Sequence, residues 1–428
     1  MTLITNIGEL VGIAPEGLLR RQGAEMADAG ILRDAWLAIE DGRIAGFGGM
    51  ADLVGHDNPV IPGHDDTVIP GHDNPVIPGH DRESIDARGG MVMPAFCDSH
   101  THLVYAGSRD GEFLDKINGL SYEQIAARGG GILNSSDLLN ATPEDELLAQ
   151  SMERVREVLA MGTGALEIKS GYGLNPEGEM KMLRVIRRIR ESVPASVRAT
   201  FLGAHAVGRG YTQAEYVQAV IDMMPQAAEL ADYVDVFCDE GFFTPAETES
   251  ILEAGAKHGL RGKIHANELA VSGGVQAGVR HNALSVDHLE RTTDAEIEAL
   301  CGTETMPVML PGTSFFLGIP YGRAKDYIKA GLGLALASDY NPGSSPSGDM
   351  RFVMALACIH MRLTPAEALN AVTLNGAYAM GVSDITGSIT RGKRADFILT
   401  ETGWTLTKLP YLHHTPFIRS VYLEGKAI

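Results

Sequence analysis

Cysteine is scarce in this chain, with four residues in 428, at Cys97, Cys238, Cys301 and Cys358, and no two of them are close in sequence. That spacing excludes a zinc knuckle and a disulfide scaffold and points to buried thiols in a reducing compartment. Basic residues are outnumbered: Lys+Arg 35 against Asp+Glu 55 leaves a net charge of -20. Such a balance argues against nucleic acid or an anionic membrane as a partner, although a small anionic substrate needs only one well-placed cation. No apolar run is long enough to cross a bilayer, and the first residues lack the basic, apolar and small-residue pattern of a secretion signal. A soluble, cytoplasmic protein is expected. The length exceeds what one simple core fills, so a large domain with a smaller companion is expected too.

What is present is a change of pattern along the chain. The first ninety or so residues and the last forty read as short strands. Trp36 to Phe47 places an Asp41-Gly42 turn between two apolar runs, a strong hairpin signal. Ala395–Leu399 and Ile418–Leu423 continue the same character at the other end. Between Gly55 and Asp81 an octapeptide rich in Gly, Pro and His-Asp pairs repeats. Its Pro and Gly density forbids helix, and its histidines have no fold to make them converge, so it reads as an extended loop inserted in the β-rich region.

From Met91 to about Ser388, short apolar runs alternate with helical pattern. Eight runs are counted: Met91–Cys97, then runs centred on residues 165–168, 197–202, 233–237, 262–264, 283–286, 307–310 and 332–336. Thr142-Pro143, Thr244-Pro245 and Thr364-Pro365 each suggest an N-cap followed by Pro at the first helical position. In the helix after Thr142, Leu148, Met152, Val155 and Leu159 are expected to share one face. The pattern predicts an α/β protein: a (β/α)8 TIM barrel with a small β-sandwich domain built from both termini. The expected division is 1–90 and 389–428 for the β domain and 91–388 for the barrel.

In such a barrel the chemistry collects at the C-terminal strand ends. The first run ends in His100 and His102, two imidazoles at alternate positions of an extended segment and therefore on one face. The next ends are Lys169, His205, Asp239-Glu240, His265 and His288. The seventh, Pro311-Gly312, offers no ligand, and Asp339 closes the eighth. One such histidine is an ordinary core residue; imidazoles ending four strands, with an Asp closing the last, are the beginnings of a metal site.

These residues resemble the amidohydrolase superfamily and, within it, the imidazolonepropionase family of histidine degradation. The resemblance covers nearly the whole chain. It rests on Phe96-Cys97-Asp98-Ser99-His100-Thr101-His102, Gly129-Gly130-Gly131-Ile132, Lys169-Ser170-Gly171-Tyr172-Gly173-Leu174, Gly203-Ala204-His205-Ala206, Lys263-Ile264-His265-Ala266-Asn267-Glu268, Val286-Asp287-His288 and Ser338-Asp339-Tyr340-Asn341-Pro342-Gly343-Ser344. The octapeptide repeat departs from the family pattern.

The resemblance implies one zinc or iron ion per chain, held by His100, His102, His265 and Asp339. Such an ion lowers the pKa of a water towards ~7 for attack on the ring carbonyl of 4-imidazolone-5-propanoate. The ring C–N bond breaks to give N-formimidoyl-L-glutamate, and Asp339 shuttles the proton. Glu268, expected one helical turn beyond His265, would bridge the ring nitrogen and the water, while His288 would stabilise the oxyanion or orient the water. Arg109, Tyr172, His205, Glu268, Asn341, Gly343 and Ser344 are the implied substrate contacts, with Arg109 on the propionate. Lys169 is left as a structural or supporting amine, Glu240 as an ordinary loop acid, and a homodimer is the implied assembly. The alternatives are another cyclic amidohydrolase or a heterocycle aminohydrolase, which would release ammonia. From a different class stands a non-catalytic barrel or a metal-binding protein using the His-Asp repeat.

Overall fold

The computed structural model describes residues 1–53, 83–120 and 130–428; the octapeptide repeat and Gly129 lie outside them. Two sheets organise the fold. The chain begins with β1 (Thr2–Leu10), β2 (Leu32–Glu40) and β3 (Arg43–Gly49), followed after the repeat by β4 (Glu83–Asp86) and β5 (Gly90–Pro94). Asp41 and Gly42, the two residues between β2 and β3, both have positive φ (48° and 75°). This is the backbone a two-residue hairpin turn demands, and Asp-Gly tolerates it. At the other terminus β14 (Phe397–Thr402), β15 (Ile418–Leu423) and β16 (Lys426–Ala427) complete the sheet. Its order is β16-β15-β14-β5-β1-β2-β3, with β4 paired to β1, so both chain ends meet in one mixed sheet. Ile4, Ile7, Leu10, Leu37, Ile39, Phe397 and Leu399 form its buried face.

The second sheet is parallel: β6 (Phe96–Thr101), β7 (Thr163–Lys169), β8 (Ser196–Ala204), β9 (Tyr233–Cys238), β10 (Arg261–Ala266), β11 (Ser285–His288), β12 (Met306–Met309) and β13 (Ala335–Leu336), hydrogen-bonded in sequence order. A parallel bridge between Thr101 and Tyr340 brings its last edge back to its first. The result is a nearly closed eight-stranded barrel with helices in the connections, as the strand count predicted.

Two local expectations are corrected. The run Met91–Cys97 is not one strand: β5 belongs to the terminal sheet and β6 to the barrel. Pro94, which has no N–H to donate, ends the first; Ala95 N then bonds Asp396 O, and Phe96 N bonds Gly162 O in the barrel. Thr244 and Thr364 cap their helices reciprocally with Glu247 and Glu367, but Thr142 does not cap the helix Glu144–Ala160. Its hydroxyl donates to Leu138 O, ending the preceding helix Ile132–Ala141. In Glu144–Ala160 Val155 and Leu159 are buried and Leu148 and Met152 pack against the same core, as expected, with Leu147, Ser151 and Val158 also turned inward. None of the described helices is long and apolar enough to cross a membrane.

Candidate metal centre and active site

Backbone pairing at the barrel seam brings the first and last strand ends together. Asp339 N donates to His100 O (3.0 Å) and His102 N to Tyr340 O (2.9 Å). Below them Asp98 accepts from Ser338 N and Oγ (3.0 and 2.5 Å), a buried clamp across the seam. His100, His102 and Asp339 are thus neighbours by main-chain register, not by side-chain reach. His265 arrives from the end of β10. Its Nε2 lies 3.4 Å from His102 Nε2, which lies 3.3 Å from His100 Nε2. Asp339 Oδ1 stands 3.6 and 3.5 Å from the Nε2 atoms of His100 and His102. All four residues are at most 2% exposed.

Burial, with the Lys169 ammonium next for His100 and His205 next for His102, holds both imidazoles well below the ordinary range. Burial likewise lowers His265 to about 3. The rings are therefore neutral, and three neutral imidazole nitrogens and a carboxylate oxygen crowded around one point form the donor set that a cation binds. Three ring nitrogens and a carboxylate are a hard-to-borderline donor set suited to zinc or iron alike. The residues present fit a metal ion. His100, His288 and Asp339 form an overlapping group with donor atoms within 4.8 Å of each other, so His288 stands at the edge of the same centre.

The backbone is strained where these side chains emerge. Asp339 has φ 54°, His288 86°, Leu289 68° and Asn267 61°. Left-handed geometry at non-glycine residues costs about 1–3 kcal/mol each and persists where surrounding structure enforces it.

A cavity of about 450 Å³ opens above the cluster, lined among others by His102, Arg109, Tyr172, His205, Glu268, His288, Asp339, Asn341, Gly343 and Ser344. Every residue expected to touch substrate or metal is therefore in the cavity wall or directly beneath it. The contacts refine their parts. Asp339 Oδ2 accepts from Thr313 Oγ1 (2.6 Å), a residue just past the strand that offered no ligand in sequence. His205 Nδ1 is 3.0 Å from Gly171 O, and its ring stacks on His102 at 5.2 Å. Gly171 has φ +112°, and a Cβ there would meet His205 Nδ1, so this close approach requires glycine. Asn341 uses its amide within the loop: Nδ2 donates to Asp339 O and Ser344 Oγ, and Oδ1 accepts from Gly343 N and Ser344 N.

Glu268, expected one helical turn beyond His265, sits instead in bends after β10. Asp239 shapes that turn, accepting from the amides of Glu268, Leu269 and Ala270 at 2.7, 2.9 and 3.1 Å. Burial pushes the Glu268 carboxyl up to about 7. His288 Nδ1 lies 3.7 Å from Glu268 and 3.5 Å from Glu290. Against the burial that would lower it, these two carboxylates raise His288 to about 10. Glu290, which sequence reasoning missed, is thus part of the site's charge balance. Glu240 is exposed.

Arg109 reaches the cavity from the start of the helix Asp110–Ile117, crossing Gly343 so closely that a Cβ there would collide with its guanidinium. It also bonds Glu112 Oε2 (2.5 Å), whose other oxygen accepts from Gly131 N (3.0 Å). Gly131, which precedes the helix Ile132–Ala141, is thereby tied to the helix that follows Arg109. Lys116, unforeseen, adds a second cation to the wall and donates to Gly343 O (3.3 Å).

A parallel barrel with imidazoles and a carboxylate converging at the C-terminal mouth, beneath a cavity, defines a metal-dependent hydrolase. The family model described as the amidohydrolase family matches residues 91–428. An imidazolonepropionase of Flavobacterium johnsoniae is 51% identical, with 100% of each chain covered. The chain belongs to the amidohydrolase family and, within it, to the imidazolonepropionases. Among solved structures, a zinc-bound adenosine deaminase of Xanthomonas campestris is similar with TM-score 0.66 and 17% identity, covering 100% of this chain and 92% of that one. A zinc complex of atrazine chlorohydrolase from Arthrobacter aurescens gives 0.67 at 15% identity, over 100% and 95%. These two likenesses establish the fold.

Proposed function

We propose that this chain hydrolyses the ring C–N bond of 4-imidazolone-5-propanoate to give N-formimidoyl-L-glutamate. The observation that carries the reading is the convergence of His100, His102, His265 and Asp339 at the floor of a cavity whose rim holds Arg109. A metal ion held by those four residues would polarise the ring carbonyl and lower the pKa of a water.

The chain's own groups divide the remaining work. Asp339 touches both the imidazole cluster and, through Oδ2, Thr313 Oγ1; Thr313 fixes one carboxylate oxygen and leaves Oδ1 towards the reacting water. Asp339 takes a proton from that water and delivers it to the leaving ring nitrogen. The balance is complete: the water oxygen joins the carbonyl carbon, the C–N bond breaks, and the nitrogen gains the proton. Glu268, aimed by the Asp239-held turn, bridges the substrate ring nitrogen. His288, beside Glu268, faces the oxygen on which charge develops. Arg109 binds the propionate with a planar fork that matches a carboxylate. Tyr172 and His205 wall the ring, and the loop at Asn341, Gly343 and Ser344 closes the polar side.

Zinc or iron as the ion, a homodimer as the assembly and the cytoplasm as the compartment belong to the same proposal. Stripping the protein of metal should abolish ring opening, and restoring zinc or iron separately should return it. Activity that survives complete stripping would sink the metal-dependent mechanism.

A further inference from the structure

Beneath the ligand cluster the barrel interior is not filled with aliphatic side chains but with charge. Glu167 and Lys169 on β7, Asp235 on β9, Lys263 on β10 and Asp287 on β11 are all fully buried. Lys169 Nζ donates to Glu167 Oε1 and Asp235 Oδ2, each at 2.7 Å, and lies 3.6 Å from Asp287 Oδ2. Lys263 Nζ pairs with Glu167 Oε2 and donates to the carbonyls of Ser99 and Ala379, both at 3.1 Å. Thr200 Oγ1 completes Glu167 at 2.5 Å.

Desolvating so many charges is expensive, and a packed apolar filling would serve stability as well or better. The tier therefore asks for another reason, and its upper edge supplies one. Asp287 Oδ2 is 2.7 Å from His100 Nδ1, and Asp235 Oδ2 is 3.0 Å from His265 Nδ1, off the line of an ideal hydrogen bond. Each carboxylate addresses the ring nitrogen opposite the one that faces the cluster. A proton held at Nδ1 leaves the lone pair at Nε2, where a metal needs it, and fixes the plane of the ring. Among the described residues no carboxylate supports His102 in this way, and its buried Nδ1 finds no hydrogen-bond partner among them.

We propose that Asp287 and Asp235 are positioning residues that set His100 and His265 in the Nδ1–H form with Nε2 presented to the ion, and that Lys169, braced through Glu167 by Lys263, holds those carboxylates in place. The proposal rests on the metal centre described above and deepens it. Two of the ligands are thus preset from within the barrel, while His102 adapts.

The test uses the full chain and Zn2+ alone, titrated against a chromophoric chelator, with melting temperatures of the metal-free forms measured in parallel. Asp287→Asn and Asp235→Asn should each weaken Zn2+ binding about 10–100-fold, beyond any loss a control substitution of equal destabilising effect produces. Equal Zn2+ affinity with only a lowered melting temperature would reduce the tier to a structural one and overturn the proposal. Should either variant fail to fold, nitrogen-15 NMR of the histidines in the metal-free wild type decides: the Nδ1–H form at His100 and His265 is expected, and the Nε2–H form refutes the idea. Zn2+ binding that depends on Asp287 in a protein inert towards imidazolonepropionate would remove the proposed reaction and leave this inference standing.

Discussion

The floor of the cavity and its rim are built on different terms. On the floor, the ligands sit on barrel strands or immediately past them, are at most 2% exposed, and are placed by main-chain pairing and buried carboxylates. At the rim, Arg109 and Lys116 come from the short helix Asp110–Ile117, pair with Glu112 and with a loop carbonyl, and share space with the Asn341–Ser344 turn. The floor is rigid and generic, able to serve any hydrolysis that needs one activated water. On the proposed assignment, the rim carries the distinction between one acid-bearing ring and the many heterocycles a barrel of this kind can admit. Chemistry and selectivity therefore respond separately to substitution.

The largest effect is expected on the floor. Asp339→Asn keeps the shape but removes the proposed proton carrier, and turnover should fall by about 10²–10⁴, measured as kcat on fully metal-loaded protein. A near-normal kcat would assign proton transfer elsewhere. His265→Ala should then lose the ion under dialysis, whereas deletion of the repeat at 55–81 should leave metal content intact; the reverse result would move the metal to the His-Asp repeat.

At the rim the effects should be smaller and of another kind. Arg109→Ala removes a charge-assisted contact of about 1.5–3 kcal/mol, so kcat/KM should drop about 10–100-fold, mainly through KM, with normal metal content. Unchanged kinetics would place the propionate site elsewhere. Lys116→Met, which removes a half-buried and partly screened cation, should raise KM only a few-fold, in line with about 1 kcal/mol or less for such charges. An effect larger than that of Arg109→Ala would exchange their roles and make Lys116 the principal anchor.

The same contrast decides what the sequence revealed. His100 and His102 were legible because an extended segment repeats every two residues, and eight apolar runs were enough to count a barrel. The proposed propionate anchor was not legible that way: Arg109 lies in a loop before a short helix, and only the family resemblance singled it out. The buried tier went unread although it left a mark. Glu167 stands in Leu166-Glu167-Ile168, Asp235 in Val234-Asp235-Val236 and Asp287 in Val286-Asp287-His288. A charge inside an apolar strand has no reason to be there unless the barrel interior uses it. Thr313 and Glu290 left no such mark, because the positive φ at His288 and Leu289 and the helix Pro311–Leu317 just after β12, not local pattern, bring them to the site. The split of Met91–Cys97 between two sheets was hidden for a similar reason: both halves are equally apolar, and only Pro94 hints at the boundary.

The most direct test of the account gives purified protein 4-imidazolone-5-propanoate and follows substrate, formimidoylglutamate, ammonia and bound metal in one sample. Loss of substrate matched by formimidoylglutamate, with no ammonia and one ion per chain, is the predicted result. Ammonia released in step with substrate loss, or a fully metal-loaded protein that leaves the ring closed, would contradict it.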